Sequence, residues 1–466
     1  MSSSPRLRTL WMHWGMRFLP FADAASDDLP MSRLLRLSLF QISVGMALVL
    51  LVGTLNRVMI VELNVPASLV AIMVGMPLLF APLRALVGFR SDHHRSELGW
   101  RRVPYIWMGT LMQFGGFAIM PFALLVLAGL GESSQAPVWV GQLASAGAFL
   151  LVGAGMHTTQ TVGLALATDL SPVEKQPNVV GFLYVMMLVG MIGSALLFGD
   201  LLTDFSPARL VQVVQAAALI TLVLNTTALW KQEARSRLRR PGSGSDPSFA
   251  QAWQMFIRGD DALRRLAVVG FGTMAFSMED VLLEPYGGEV LHLSVASTTV
   301  LTATLAVGSL IGFAWASRVL SRGADPFRMA AWGCWVGLPA FVLVIAAAGA
   351  GESRWVFSTG TFLIGLGAGL FGHGTLTATM NRAPAEQVGL AMGAWGAVQA
   401  TAAGLSMVLG GVLRDAVASI TSASTGYWLV YSIELVLLAI TLWAMRPLMR
   451  TTARGAAPVS QDLPST

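Results

Sequence analysis

The sequence predicts an all-α membrane protein of twelve transmembrane helices arranged as two six-helix halves, and three observations carry that prediction. Of the 466 residues, 55% are hydrophobic and only 12% charged, with a mean hydropathy of +0.65; soluble domains carry about twice that charged fraction. Apolar runs of spanning length recur along the chain, interrupted midway by one long polar connection, Lys231 to Arg265, that contains RSRLRRPGSGSDPS. Arginine and lysine outside the runs fall 25 on the side of the termini and the central linker against 3 on the other, which predicts cytoplasmic termini by the positive-inside rule. The same asymmetry accounts for the sequence pI of about 9.9 without a nucleic-acid partner.

In chain order, residues 1–37 interleave Trp11, Trp14, Phe18 and Phe21 with Arg6, Arg8 and Arg17. They have no continuous apolar core ahead of a cleavage site, so they read as a cytoplasmic interfacial segment or a docking segment for a partner. A spanning helix needs roughly 20 apolar residues. That length places spans near 38–61, 66–88, 103–129, 138–168, 179–202 and 208–230 in an N-terminal half bounded by 38–230. Residues 231–265 form a cytoplasmic linker, rich in Gly, Ser, Pro and charge. The C-terminal half, 266–446, holds spans near 266–290, 296–317, 329–350, 356–380, 388–414 and 425–446, and 447–466 reads as a disordered cytoplasmic tail. An internal repeat supports the two halves: LNRVMIVELNVPAS (55–68) answers MEDVLLEPYGGEVLHLSVAS (278–297), and TDLSP (168–172) answers MNRAP (380–384). Such matches point to parallel repeats about an axis along the membrane normal.

Between the second and third spans lies FAPLRALVGFRSDHHRSELGWRRVPYIW (80–107), with Gly88 and Asp92, then Gly99, Arg101 and Arg102. Glycines let helices approach closely, and an aspartate with arginines can latch adjacent helix ends. The order resembles the signature loop of the major facilitator superfamily of secondary transporters. Three longer strings, GTLNRVMIVEL (53–63), PLLFAPLRALVGFRSDHHRSELGWRRVPYIWMGTLMQFGG (77–116) and DVLLEPYGGEVLHLSV (280–295), resemble a narrower branch, the PucC and LhaA family of phototrophic bacteria. RFLPFADAASDDLPMSRLLRLSLFQ (17–41) is closer to the LhaA side, linked to the core antenna around the reaction centre. The resemblance implies an assembly factor or pigment-delivery protein in the intracytoplasmic photosynthetic membrane of a bacterium, with bacteriochlorophyll as cargo or ligand. It implies light-harvesting antenna polypeptides as partners, with the reaction centre core complex and bacteriochlorophyll synthase as further ones.

Ionisable groups inside spans are costly and serve as functional candidates. Arg57 and Glu62 close the first span, and Glu279, Asp280 and Glu284 occupy the corresponding stretch of the seventh. Two readings stand. Either the five form a substrate or proton-coupling cluster of a secondary transporter or flippase for a hydrophobic solute, or they latch helix ends because a buried arginine needs a carboxylate. His157 and His373 lie in the equivalent fourth and tenth spans among small residues, GAGMHTTQ and LFGHGTL. An imidazole nitrogen can ligate the metal of a tetrapyrrole, so both are candidate pigment ligands; the plainer reading is a neutral histidine hydrogen-bonded between helices. Glycine-rich GLGAGLFGHG (365–374) reads as a close-packing seam or a groove for a pigment or partner helix. Phosphate-cradling, nucleophile-elbow and zinc-ligand motifs are absent, and Cys334 is the one cysteine. The chain therefore reads as a non-enzyme with no directly bound metal.

Overall fold

The computed structural model describes residues 29–79, 87, 91, 100–129, 137–172, 175–233, 261–320, 322–349, 353–382 and 388–454. Gly88, Asp92 and Gly99 of the signature loop lie outside the described residues, as do most of the N-terminal segment and of the central linker and the end of the tail. Among the described residues every regular element is helical. We number the helices α1 (Met31–Glu62), α2 (Ala67–Leu79), α3 (Val103–Leu127), α4 (Val138–Asp169), α5 (Gln176–Leu201), α6 (Pro207–Leu229), α7 (Ala262–Glu289), α8 (Val295–Leu320), α9 (Pro326–Gly349), α10 (Arg354–Arg382), α11 (Val388–Ala418) and α12 (Ala423–Arg454). Eleven of them are long and apolar enough to cross a membrane, and the described part of α2 is a shorter apolar helix.

Packing follows a repeat. Helix α3 runs along α4 and α6, and α1 along α5 and α6; likewise α9 runs along α10 and α12, and α7 along α11 and α12. Adding six to each number maps one set onto the other. The two sets meet through α2 against α11 and α5 against α8, with α1 touching α7 and α8, a pairing that obeys the same rule. Helices α1 and α7 are the most enclosed, which places their ionisable residues deep in the protein.

Two boundaries differ from the sequence reading. Helix α1 starts at Met31, inside the segment expected to be interfacial, because Leu34 and Leu37 bury with Ile106, Val162, Leu166 and Ala228 in a common core. Helix α12 runs on to Arg454, past the expected start of the tail, since Leu448 is buried in the main core.

At the end bearing the linker, hereafter the linker face, charges tie α3, α4 and α6 together. Arg101 pairs with Asp169 at the end of α4, and Arg102 reaches the same carboxylate at 3.0 Å and donates to Ser91 Oγ at 2.7 Å. Glu233, just beyond α6, accepts the main-chain N–H groups of Arg101, Arg102 and Val103 at 2.8, 3.0 and 2.9 Å. A carboxylate there satisfies orphan donors and meets the positive end of the α3 dipole. Arg101 and Arg102 thus tie the start of α3 to the end of α4, with Asp169 as their acid.

The seam between α1 and α5 depends on glycines whose neighbours are main chain. A Cβ on Gly190 would run into the backbone of Ile42, and one on Gly45 into that of Met187 and Met191. Backbone cannot swing aside as a side chain can. Gly190→Leu is expected to lower the thermal unfolding midpoint by the equivalent of about 1–3 kcal/mol or more. Gly193→Ala, at a position with nothing within 4 Å, should be neutral or stabilising by up to ~1 kcal/mol; equal losses in a detergent melting assay would contradict this seam.

Candidate functional site

The candidate site forms where α1 meets α7, and its shape begins with a proline. In a continuous α-helix the carbonyl of Val281 would accept the N–H of residue 285, but residue 285 is proline, which has no N–H and crowds that carbonyl. Helix α7 breaks accordingly: an α-helical Ala262–Ser277, a single tight turn Glu279–Val281, and a short α-helix Leu283–Glu289. Asn56 of α1 takes the vacant place. Its Nδ2 donates to the Val281 carbonyl at 2.6 Å, and to Val52 of its own helix at 2.9 Å.

Helix α1 is unusual on either side of Asn56. Val49–Thr54 and Val58–Glu62 are wound as wide turns, with Leu55 N–H bonding Leu50 and Leu63 N–H bonding Val58. Such π-turns are rare and concentrate at functional sites. They also decide the partner of Arg57. On an α-helix a residue five positions on lies about 140° around the axis, whereas the wider winding brings Glu62 over Arg57, and the two form an ion pair. A second contact of Arg57 crosses to the other helix set: its Nη2 donates to the carbonyl of Leu293 at 3.2 Å. Gly53 leaves room for the Glu284 carboxylate, which accepts from the Thr302 hydroxyl, and Thr54 meets Thr299 at 3.4 Å.

The five ionisable candidates therefore gather at one junction with divided roles. Arg57 and Glu62 satisfy each other within α1, and Glu284 sits between Gly53 and α8. Glu279 and Asp280 occupy the break itself, and Glu279 is 1% exposed, with its Oε2 making no hydrogen bond among the described residues. Sequence reading missed the groups that α11 and α12 bring. Arg414 pairs with Glu289 and with Asp415 at 2.8 Å, and lies 4.8 Å over the Tyr427 ring. Asp415 also crosses to α2, accepting the Ser68 N–H at 2.6 Å. Glu434 of α12 is fully buried with its carboxylate toward the main-chain N–H of Glu279, and neither of its oxygens meets a side-chain donor among the described residues. One acidic residue in the span at 425–446 was the signal that could have found it.

The histidines sit apart from this junction and from each other. His157 is buried in α4, which packs with α3 and α2, and His373 lies in α10, which packs with α8 and α9. The ring of Phe313 stands 4.2 Å from that of His373, whose buried Nδ1 has no hydrogen bond among the described residues. The glycine-rich stretch of α10 is used for packing: Gly365 and Gly369 press on the α8 main chain, Gly367 and Gly374 on that of α9.

This paired helix arrangement defines an all-helical membrane protein with the major facilitator fold. Solved transporters share it: a bacterial homologue of the human lysosomal transporter Spinster, in an inward-facing and unoccupied conformation, matches with a TM-score of 0.66 at 15% identity, covering 92% of this chain and 98% of that one. A D-xylose–proton symporter matches with a TM-score of 0.65 at 14% identity, covering 88% and 96%. The chain belongs to the PucC family, whose description, PUCC protein, matches residues 54–453. Protein PucC of Rhodovulum sulfidophilum is 65% identical over 89% of this chain and 92% of its own, and Protein PucC of Rhodobacter capsulatus 56% over 94% and 96%. A more distant relative, the bacteriochlorophyll synthase 44.5 kDa chain of Rhodobacter capsulatus, is 27% identical over 92% and 97%. The family expectation is met, through relatives that carry the PucC name.

Removing the Asn56 amide should leave the Val281 carbonyl buried and unsatisfied, a loss of about 1–3 kcal/mol. Asn56→Ala is therefore expected to melt lower than wild type, and Pro285→Ala, which returns an N–H at the right place, to restore part of the loss. A double-mutant cycle measures this; additive losses would show that the two residues do not share that carbonyl.

Proposed function

We propose that this protein is an assembly factor of the photosynthetic membrane that binds bacteriochlorophyll, or hands it to light-harvesting antenna polypeptides as they insert. Membership of the PucC family across residues 54–453 carries the reading, and kinship with a chain named for bacteriochlorophyll synthase supports a pigment context. The core antenna around the reaction centre, suggested by residues 17–41, is one client; the kinship with PucC proteins does not single it out. The reaction centre core complex and bacteriochlorophyll synthase are further proposed partners. The linker face and both termini lie in the cytoplasm, on the 25-to-3 charge asymmetry, and the membrane is the intracytoplasmic photosynthetic membrane. The protein acts without catalysing a reaction.

His373 and His157 are the proposed pigment contacts. An imidazole nitrogen can ligate the magnesium of a bacteriochlorophyll, and the buried Nδ1 of His373, which has no hydrogen bond among the described residues, would be free to supply it. His373 would hold the pigment by that nitrogen, with Phe313 beside its ring keeping the imidazole oriented. A second reading, a proton-coupled transporter or flippase of a hydrophobic solute, draws on the broken α7: transporter sites form at discontinuous helices, and Glu279 and Asp280 occupy this break.

Absorption spectra of protein purified in mild detergent from a phototrophic host distinguish these readings. Near-infrared pigment bands in wild type, lost in a folded His373→Ala or His157→Ala variant, are expected. A colourless protein that retains antenna polypeptides would reduce the role to a scaffold, and one with neither would turn the reading to transport of another solute.

A further inference from the structure

Helix α12 brings a carboxylate to the break in α7 that neither the latch nor the pigment reading uses. Glu434 is 0% exposed and Glu279 1%. Three of their four oxygens meet no side-chain donor among the described residues, the main-chain N–H of Glu279 being the one donor turned toward Glu434. The two lie close enough for their charges to interact, and Glu434 feels Asp280 as well. No ion pair reaches either among the described residues, because Arg57 is taken by Glu62, and Arg414 by Glu289 and Asp415.

The other polar groups around them supply no counterion. The Tyr431 hydroxyl, one turn before Glu434 and fully buried, has no hydrogen-bond partner among the described residues and lies within electrostatic reach of both carboxylates. Tyr286 of the last segment of α7 is turned to the Val344 carbonyl and Trp428, Tyr427 donates to Glu289, and Asp280 is held by Ser277. Cys334 is the buried thiol of α9. Asn56, its amide nitrogen committed to Val281, leaves Oδ1 without a hydrogen bond among the described residues at the same break.

The surplus is thus of acceptor oxygens. Uncompensated buried anions cost several kcal/mol each, by the order of magnitude usual for ions taken out of water. The first segment of α7 also ends here, and a helix C-terminus adds negative potential. Broken helices in membrane proteins use such ends, with side-chain oxygens, to hold small cations.

We propose that Glu279 and Glu434 form a buried binding site for a monovalent cation, a sodium ion or a proton, drawn from solution. The Tyr431 hydroxyl and the Asn56 carbonyl oxygen complete its oxygen lining. The site stands whether or not the protein handles pigment, and pigment-free protein tests it.

The experiment is thermal unfolding of the full chain in detergent, titrated with sodium chloride against choline chloride at constant ionic strength, then with pH in choline alone. A ligand that binds the folded protein raises the midpoint with its concentration. In wild type the midpoint should climb with sodium, or with acidification in choline, and those two arms separate the sodium ion from the proton. Glu434→Gln and Glu279→Gln keep the side-chain shape and remove the anion, so each should flatten the climb. Parallel responses of wild type and both variants would overturn the site. Should a variant not fold, wild type alone decides: a midpoint insensitive to both sodium and pH overturns it.

Discussion

The junction between the helix sets turns on the carbonyl of Val281. Pro285 removes its intrahelical donor, and a buried carbonyl left alone costs free energy, so an amide from another helix must approach within hydrogen-bond distance. That requirement holds α1 against α7 at the point where both depart from regular winding. The break lets Glu279 and Asp280 leave the regular helical path, and the wide turns of α1 let Arg57 find Glu62. One missing N–H thus organises the polar centre of the protein.

Charge is handled differently at the faces and in the middle. At the linker face Arg101, Arg102, Asp169 and Glu233 bind three helices of one set through ion pairs and a helix cap. At the far face Arg414, Asp415 and Glu289 bind α11 to α7, and Asp415 crosses to α2. The contacts that join the two sets, Asn56 with Val281, Arg57 with Leu293, Thr54 with Thr299 and Ser68 with Asp415, gather toward this far end. The linker ends that the structure describes are latched within a set. Deep in the protein, by contrast, Glu279 and Glu434 are buried without basic partners among the described residues.

The scaffold is shared with transporters whose substrates differ widely, and a shared fold does not carry a shared function. The irregular features of this chain are local: two wide turns beside Asn56, a proline after Glu284, and an acidic residue in the last span. Each costs stability in a helix that would otherwise be a plain apolar span. Costs of that kind persist where a site needs them.

Hydropathy, the central polar stretch and the repeat of LNRVMIVEL by MEDVLLEPY were enough to read twelve helices in two sets, because a bilayer demands apolar length and internal hydrogen bonding wherever the chain crosses it. The same strings marked Arg57, Glu62, Glu279, Asp280 and Glu284 as exceptional, since charge inside a span is rare. Which of them pair was decided only by tertiary structure: helical winding, not spacing, brought Glu62 to Arg57, and a proline four residues away recruited Asn56. Neither Arg414 nor Glu434 was singled out, because their partners on α7 and α12 lie far apart in sequence. Periodicity reports which residues share a face of one helix; it does not report which helix that face will meet.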